Sequence, residues 1–433
     1  MVCFFIILLI VSLYLWLFPF GKRKTINVRF ISEPATFSLI LLCITGWIGS
    51  MTIYFLRSGN SFNKVVDNYT GNDGLVLILV TITVVFMTFT SKLNLKYIND
   101  LKCNSIGKIS LFDWIMLSVV MSFLLYYVFV DWHYVSSMLS AANQYDIMAL
   151  RKESTSVGSD YLFKKVIVEG VFWVSLLYYY SFRGKGKLFT FFLYLVTFVF
   201  CLFFFLSLKK ISIVLLLVSI FLSANFNKSI SFIHIMKLIL FFFVIMFAIY
   251  FLLIRNVSWE YMLSPFEQGL VGRIFISEIS SLYAHLAIFS NEHIGFESVS
   301  RTISSLFGMG FSPRSGEVVM ATVNPTWVEM EIGGTYNTLF IGEAFANFGF
   351  VGMLVSIFYV SFYYILIVRT LVLFPVKFRI AMLVYLSLQV NIMSGFNDYI
   401  YDPFLVLIYC VILLRKLFIL KARKLPEQAR EIA

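Results

Sequence analysis

Eleven apolar runs, most of about 17–25 residues, divide this chain, and as helices they can cross a hydrocarbon core of about 30 Å. They fall near residues 2–20, 34–56, 74–91, 112–131, 166–182, 188–208, 211–226, 231–254, 341–367, 378–396 and 400–414. A chain with 60% hydrophobic and 13% charged residues cannot cover itself with water-compatible groups, since a soluble domain carries about 25% charge. Transmembrane β-strands would alternate in segments of about ten residues, whereas these runs are unbroken. The expected fold class is therefore all-α, a single polytopic membrane helix bundle over residues 1–433. The net charge of +11 sits on residues that flank the runs, so topology explains it and nucleic acid is not needed.

The basic residues also orient the bundle. No basic segment precedes the first run, no small-residue cleavage site follows it, and Lys22, Arg23, Lys24 and Arg29 come after it. It is expected to be a retained span that starts outside. Alternating the loops from there puts 21 of the 34 Lys and Arg in short segments on the cytoplasmic side. That bias predicts a cytoplasmic C-terminus. Cysteines fall in spans or in a cytoplasmic loop, and the four histidines are scattered, so neither a disulfide framework nor a metal site is expected.

Polar residues collect on the other face, in loops at 132–165 and 255–340. Loops of that length in a compact protein are usually functional or disordered, and the larger one is rich in aromatic residues. Within it, Leu270, Ile274, Leu282, Leu286 and Phe289 predict an amphipathic helix over 270–289 that lies on the bundle or at the interface. Residues 188–226 would extend about 58 Å as one helix, so the chain must turn at Lys209 and Lys210. Those lysines either snorkel at a tight hairpin or grip an anion. Arg151, Arg255, Arg273, Arg301 and Arg314 lie on the face that carries few cations. A guanidinium keeps its charge and matches phosphate oxygens with a planar fork of donors, which makes a lipid diphosphate the natural anion. Glu343 opens the ninth span; it serves either function or the helix dipole. Asp398 and Asp402 bracket two tyrosines in the last turn on this face and are read as interfacial anchors.

The plan resembles the Wzy-type polymerases of bacterial surface polysaccharide, the O-antigen or oligosaccharide-repeat-unit polymerases. Three features carry the resemblance: some eleven spans with two enlarged loops in these positions, the stretch Leu150-Arg151-Lys152-Glu153 with Gly158 after it, and Gly342-Glu343-Ala344-Phe345-Ala346-Asn347-Phe348-Gly349-Phe350-Val351-Gly352. One departure is that no arginine here has the spacing to a later glycine found in the loops of some members. The related O-antigen ligases carry a histidine with a polar follower in the large loop, whereas His285 precedes Leu286 and His293 precedes Ile294.

The resemblance implies a bundle like the membrane glycosyltransferase C class in a bacterial inner membrane. There it would polymerise undecaprenyl-diphosphate-linked repeat units at the periplasmic face, without a cofactor. Implied partners are the lipid-linked oligosaccharide, membrane lipid, a flippase and a chain-length regulator. Charge grows on the leaving diphosphate, so fixed cations would lower the barrier most directly. Arg151 and Arg273 are the catalytic candidates, with Glu343 as base; Lys209, Lys210, Arg255 and Arg314 are candidates for holding the diphosphate. The alternative is a lipid-linked oligosaccharide flippase, which would favour internal repeats, broken helices and short loops.

Overall fold

In the computed structural model, the described residues are 25–55, 73–99, 109–130, 164–182, 186–206, 210–231, 259–264, 269–329, 335–390, 392–393 and 395–411, with a few single positions between 132 and 244. Almost all of them are helical. Strand β1 (Thr25–Asn27) leads into α1 (Pro34–Phe55), α2 (Asp73–Asn99) and α3 (Leu111–Val130). A π-wound segment, Lys164–Phe172, runs into α4 (Trp173–Tyr180), followed by α5 (Lys187–Leu206), α6 (Lys210–Asn225) and strand β2 (Ser229–Ser231). Next come α7 (Leu270–Phe275), α8 (Ser277–Ile288), α9 (Ser315–Val323), α10 (Phe340–Leu371), α11 (Val376–Gln389), α12 (Phe396–Ile400) and α13 (403–411).

Five of these helices, α1, α2, α3, α5 and α10, are long and apolar enough to cross a membrane. The chain is a multi-pass membrane helix bundle. Threonines inside α2 remain satisfied because Thr81, Thr83 and Thr88 each return a hydroxyl to the carbonyl four residues back. The run at 188–226 does divide, into α5 and α6, which pack on each other. Lys209 and the expected span 2–20, with most of 231–254 and of the loop 132–165, lie outside the described residues.

Side-chain contacts sort the loops onto two ends. At one end β1 pairs antiparallel with β2, Thr25 opposite Ser231, and Arg29 donates to Asn227 Oδ1 at 2.7 Å. Glu33 caps α1 there, accepting from the N–H groups of Ala35 and Thr36 and from the Asn94 amide of α2. Arg369 lies over the Tyr97 ring and Lys377 over Phe182 at the same end. At the other end Tyr283 of α8 donates to Asp73 Oδ1 at 2.7 Å, where α2 begins. The 269–329 segment, the start of α10 and residues 392–402 share that end.

Two helices break. In α10, Gly349 has φ 68° and ψ −160°, a conformation open only to glycine, and His293 Nε2 would lie 2.6 Å from any Cβ there. The remaining helix, Phe350–Leu371, rises about 33 Å, one hydrocarbon thickness, which leaves Phe340–Phe348 as a separate cap. Helix α11 has 14 residues, about 21 Å, and so stops short of a full crossing. Its freed carbonyl at Val390 accepts from Tyr364 at 2.9 Å, and the same hydroxyl meets Ser38 Oγ and Tyr399 Oη at 2.7 and 2.8 Å. Irregular backbone at such depth persists only where protein or a wet cavity satisfies it. The expected span 378–396 is thus a shorter helix, ending at Gln389, followed by an irregular connection toward residues 392–402.

The expected helix over 270–289 is two helices, α7 and α8, hinged at Ile276 (φ −118°, ψ −32°). It is not one-sided. Ile279 to Leu286 are all buried, because α9 and α10 cover the side that the apolar pattern leaves polar.

Candidate functional site

Arg314 caps the start of α9 with extended backbone (φ −62°, ψ 149°), so its carbonyl opens the helix while its side chain is directed away from it. The guanidinium meets Glu343 side-on: Nε donates to Oε1 at 3.0 Å and Nη2 to Oε2 at 3.1 Å. Nη1 donates to Asp398 Oδ1 at 3.2 Å. Glu343 sits in the first turn of α10, 5% exposed at its side chain, whereas Arg314 and Asp398 are 36% and 31% exposed. Gly395 is required at the entrance to α12, because a Cβ there would collide with Glu343 Oε2 and the edge of Arg314.

Burial works to lower the Arg314 pKa, but the carboxylates of Glu343 and Asp398 outweigh it and hold the guanidinium above its ordinary value. Glu343 Oε2 also takes the Asn397 N–H at 2.9 Å. Its carboxylate therefore serves Arg314 and α12, not the N–H groups of its own helix.

Neutral amides lock the three segments together. Ser298 Oγ donates to Asn347 Oδ1 at 3.0 Å, Asn347 Nδ2 to Asn397 Oδ1 at 2.8 Å, and Asn397 Nδ2 to the Ser298 carbonyl at 3.0 Å. All three side chains are buried and mutually satisfied. On the far side, His285 Nδ1 lies 2.8 Å from the Ser281 carbonyl, which can only accept, so Nδ1 carries the proton. Nε2 then accepts from Ser315 Oγ at 3.2 Å. Burial pushes the His285 pKa down to about 4, against the pull of the Ser281 carbonyl, so the ring is neutral at pH 7.

Arg314, Glu343, Asp398, His285, Ser315 and Gly395 border a cavity of about 140 Å³, also lined by Thr335, Tyr336, Asn337, Thr338 and Met393. Thr338 Oγ1 is buried and has no hydrogen-bond partner among the described residues. No group of three His, Cys, Asp or Glu converges as a metal site among the described residues.

Of the residues singled out in the sequence, the structure brings Arg314 and Glu343 together. Arg273 lies exposed on the last turn of α7, outside the cavity lining, though its charge reaches Tyr336. Arg151, Lys209 and Arg255 lie outside the described residues, as do the side chains of Lys210 and Arg301. Sequence reasoning read Asp398 as an interfacial anchor, whereas it bonds Arg314, and it assigned no role to Asn397, Asn347 or Ser298. The available signal was Gly395-Phe396-Asn397-Asp398, a polar break after a glycine between two apolar runs.

No family model matches the chain, and neither a curated protein nor a solved structure matches it.

Proposed function

We propose that this protein is a glycosyl-transfer polymerase that joins lipid-diphosphate-linked oligosaccharide repeat units into surface polysaccharide, at the periplasmic face of a bacterial inner membrane. The observation that carries the reading is the Arg314–Glu343–Asp398 cluster. It is a charged, partly open group beside a cavity of hydroxyls and amides, in a chain where charge is otherwise scarce. In this reading the bundle has eleven spans and the glycosyltransferase C architecture, with the N-terminus periplasmic and the C-terminus cytoplasmic.

The chemistry joins an acceptor sugar hydroxyl to the anomeric carbon of the growing chain, and undecaprenyl diphosphate leaves. A carboxylate beside the hydroxyl takes its proton, and cations at the diphosphate receive the developing charge. Arg273, with Arg151, Arg255 and the Lys209–Lys210 pair, supplies those cations. A flippase delivers the lipid-linked units, and a chain-length regulator acts beside the polymerase. No cofactor takes part in this scheme.

A second reading, a lipid-linked oligosaccharide flippase, is favoured by one observation: the breaks at Gly349 and after Gln389 resemble the discontinuous helices that transporters place at their binding sites. The two readings separate in one experiment. Purified protein is incubated with a lipid-linked repeat unit, in detergent and in sealed vesicles, and the products are resolved on a gel. Polymerase activity gives a ladder in both settings. Intact units that merely exchange leaflets would refute the polymerase and support the flippase.

A further inference from the structure

We infer that the Arg314–Glu343–Asp398 cavity is the seat of the acceptor's terminal sugar and not of the lipid diphosphate, with Asp398 as the base that activates the attacking hydroxyl. The inference rests on the polymerase reading for its chemistry, while the choice of a sugar over a diphosphate follows from the cavity itself.

Charge comes first. One guanidinium faces two carboxylates, and His285 is neutral, so the ionised cluster carries one net negative charge. A diphosphate entering here would meet an uncompensated acid. Uptake of a single proton, by contrast, leaves the cluster neutral, and that is the property a base needs.

Hydrogen-bond capacity agrees. Arginine offers five N–H donors, and three are engaged by Glu343 and Asp398, which leaves two on the exposed edge. Both Glu343 oxygens are occupied, and Oε2 holds two donors. Asp398 Oδ2 takes no hydrogen bond among the described residues, and its side chain is 31% exposed. The open positions are thus a donor on Arg314 beside an acceptor on Asp398. A phosphate oxygen only accepts, whereas a sugar hydroxyl both accepts and donates and so fills both.

The lining completes the fit. Thr338 Oγ1 is buried without a partner among the described residues, and it shares the cavity with Thr335, Tyr336 and Asn337. At about 140 Å³ the space is well below the roughly 300 Å³ at which pockets for drug-sized ligands begin, so it admits one ring. The step then balances. The hydroxyl proton passes to Asp398 Oδ2, the oxygen forms a bond to the anomeric carbon, and the bond from that carbon to the diphosphate oxygen breaks, its electron pair leaving with the lipid diphosphate. Glu343 is a positioning residue that keeps Arg314 in place.

The test has a rate arm and a binding arm. Asp398→Asn keeps the shape but cannot take the proton, and ladder formation should fall about 10²–10⁴-fold. Asp398→Glu restores a base and should recover part of that loss, as a purely structural residue would not. Binding is measured by titrating the purified full chain with a repeat-unit oligosaccharide lacking lipid and phosphate, and separately with inorganic pyrophosphate. Thr338→Val should weaken the oligosaccharide about tenfold and leave pyrophosphate unchanged. Ladder formation by Asp398→Asn within tenfold of wild type overturns the base assignment. A Thr338→Val defect seen with pyrophosphate and not with the oligosaccharide overturns the sugar seat. A wild-type protein that forms no ladder refutes the polymerase reading, and the binding arm still decides what occupies the cavity.

Discussion

Replacing Gly349 with alanine tests whether the break in α10 is built into the chain. Two costs arise, and the structure separates them. The backbone at φ 68° and ψ −160° lies in a region essentially restricted to glycine, worth of order 1–3 kcal/mol for another residue. The new methyl also meets His293 Nε2 at 2.6 Å; because His293 is exposed at its far side, the ring can turn away at a cost of about 1 kcal/mol. Gly349→Ala should therefore lose about 2–4 kcal/mol, measured by reversible unfolding in mixed detergent micelles. In a His293→Ala background the same change should cost only about 1 kcal/mol less, because the backbone share persists. A Gly349→Ala protein as stable as wild type would refute the kink. Full rescue by His293→Ala would refute the backbone share and leave only a clash.

Burial pushes the Glu33 carboxyl up to about 7, with the hydrogen bonds from Asn94, Thr36 and Ala35 pulling the other way. An acid raised in the folded state keeps its proton there while the unfolded chain has lost it, so stability falls by about 3 kcal/mol as pH rises from the ordinary carboxylate range through 7. The unfolding midpoint of wild type should drop between pH 5 and 8 more steeply than that of Glu33→Gln; equal slopes would show that Glu33 does not titrate there. For the sidedness, cysteine at the exposed Ser290 should react with an impermeant thiol reagent in intact spheroplasts, and labelling only after lysis would invert the orientation.

The apolar runs made the helices legible because length alone decides whether a helix can cross, and α1, α2, α3, α5 and α10 fall where the runs do. The breaks were not legible. The end of α11 depends on Tyr364, a residue of another helix, which satisfies the Val390 carbonyl. Arg314 stood out as a loop arginine on the face that carries few cations and Glu343 as a costly carboxylate at the start of a span, but their pairing is a tertiary event with no local pattern. Asp398 and Asp402 look alike in sequence, flanking the same tyrosines. Their partners differ: Asp402 Oδ1 takes the Leu405 N–H and caps α13, while Asp398 faces Arg314.

The cluster at the cavity also sets a timetable for biosynthesis. Arg314 and Glu343 leave the ribosome close together and can pair as soon as α10 inserts. Asp398 follows about 55 residues after Glu343, which at 5–20 residues per second is roughly 3–11 s later. During that interval the arginine and glutamate neutralise each other, and the cavity lacks both its third charge and the wall formed by Met393 and Gly395. A nascent chain that stalls or is cut before the last hairpin therefore carries a stable ion pair but no seat for a ligand. Truncated products of this protein would occupy the membrane without competing for what the full-length chain binds.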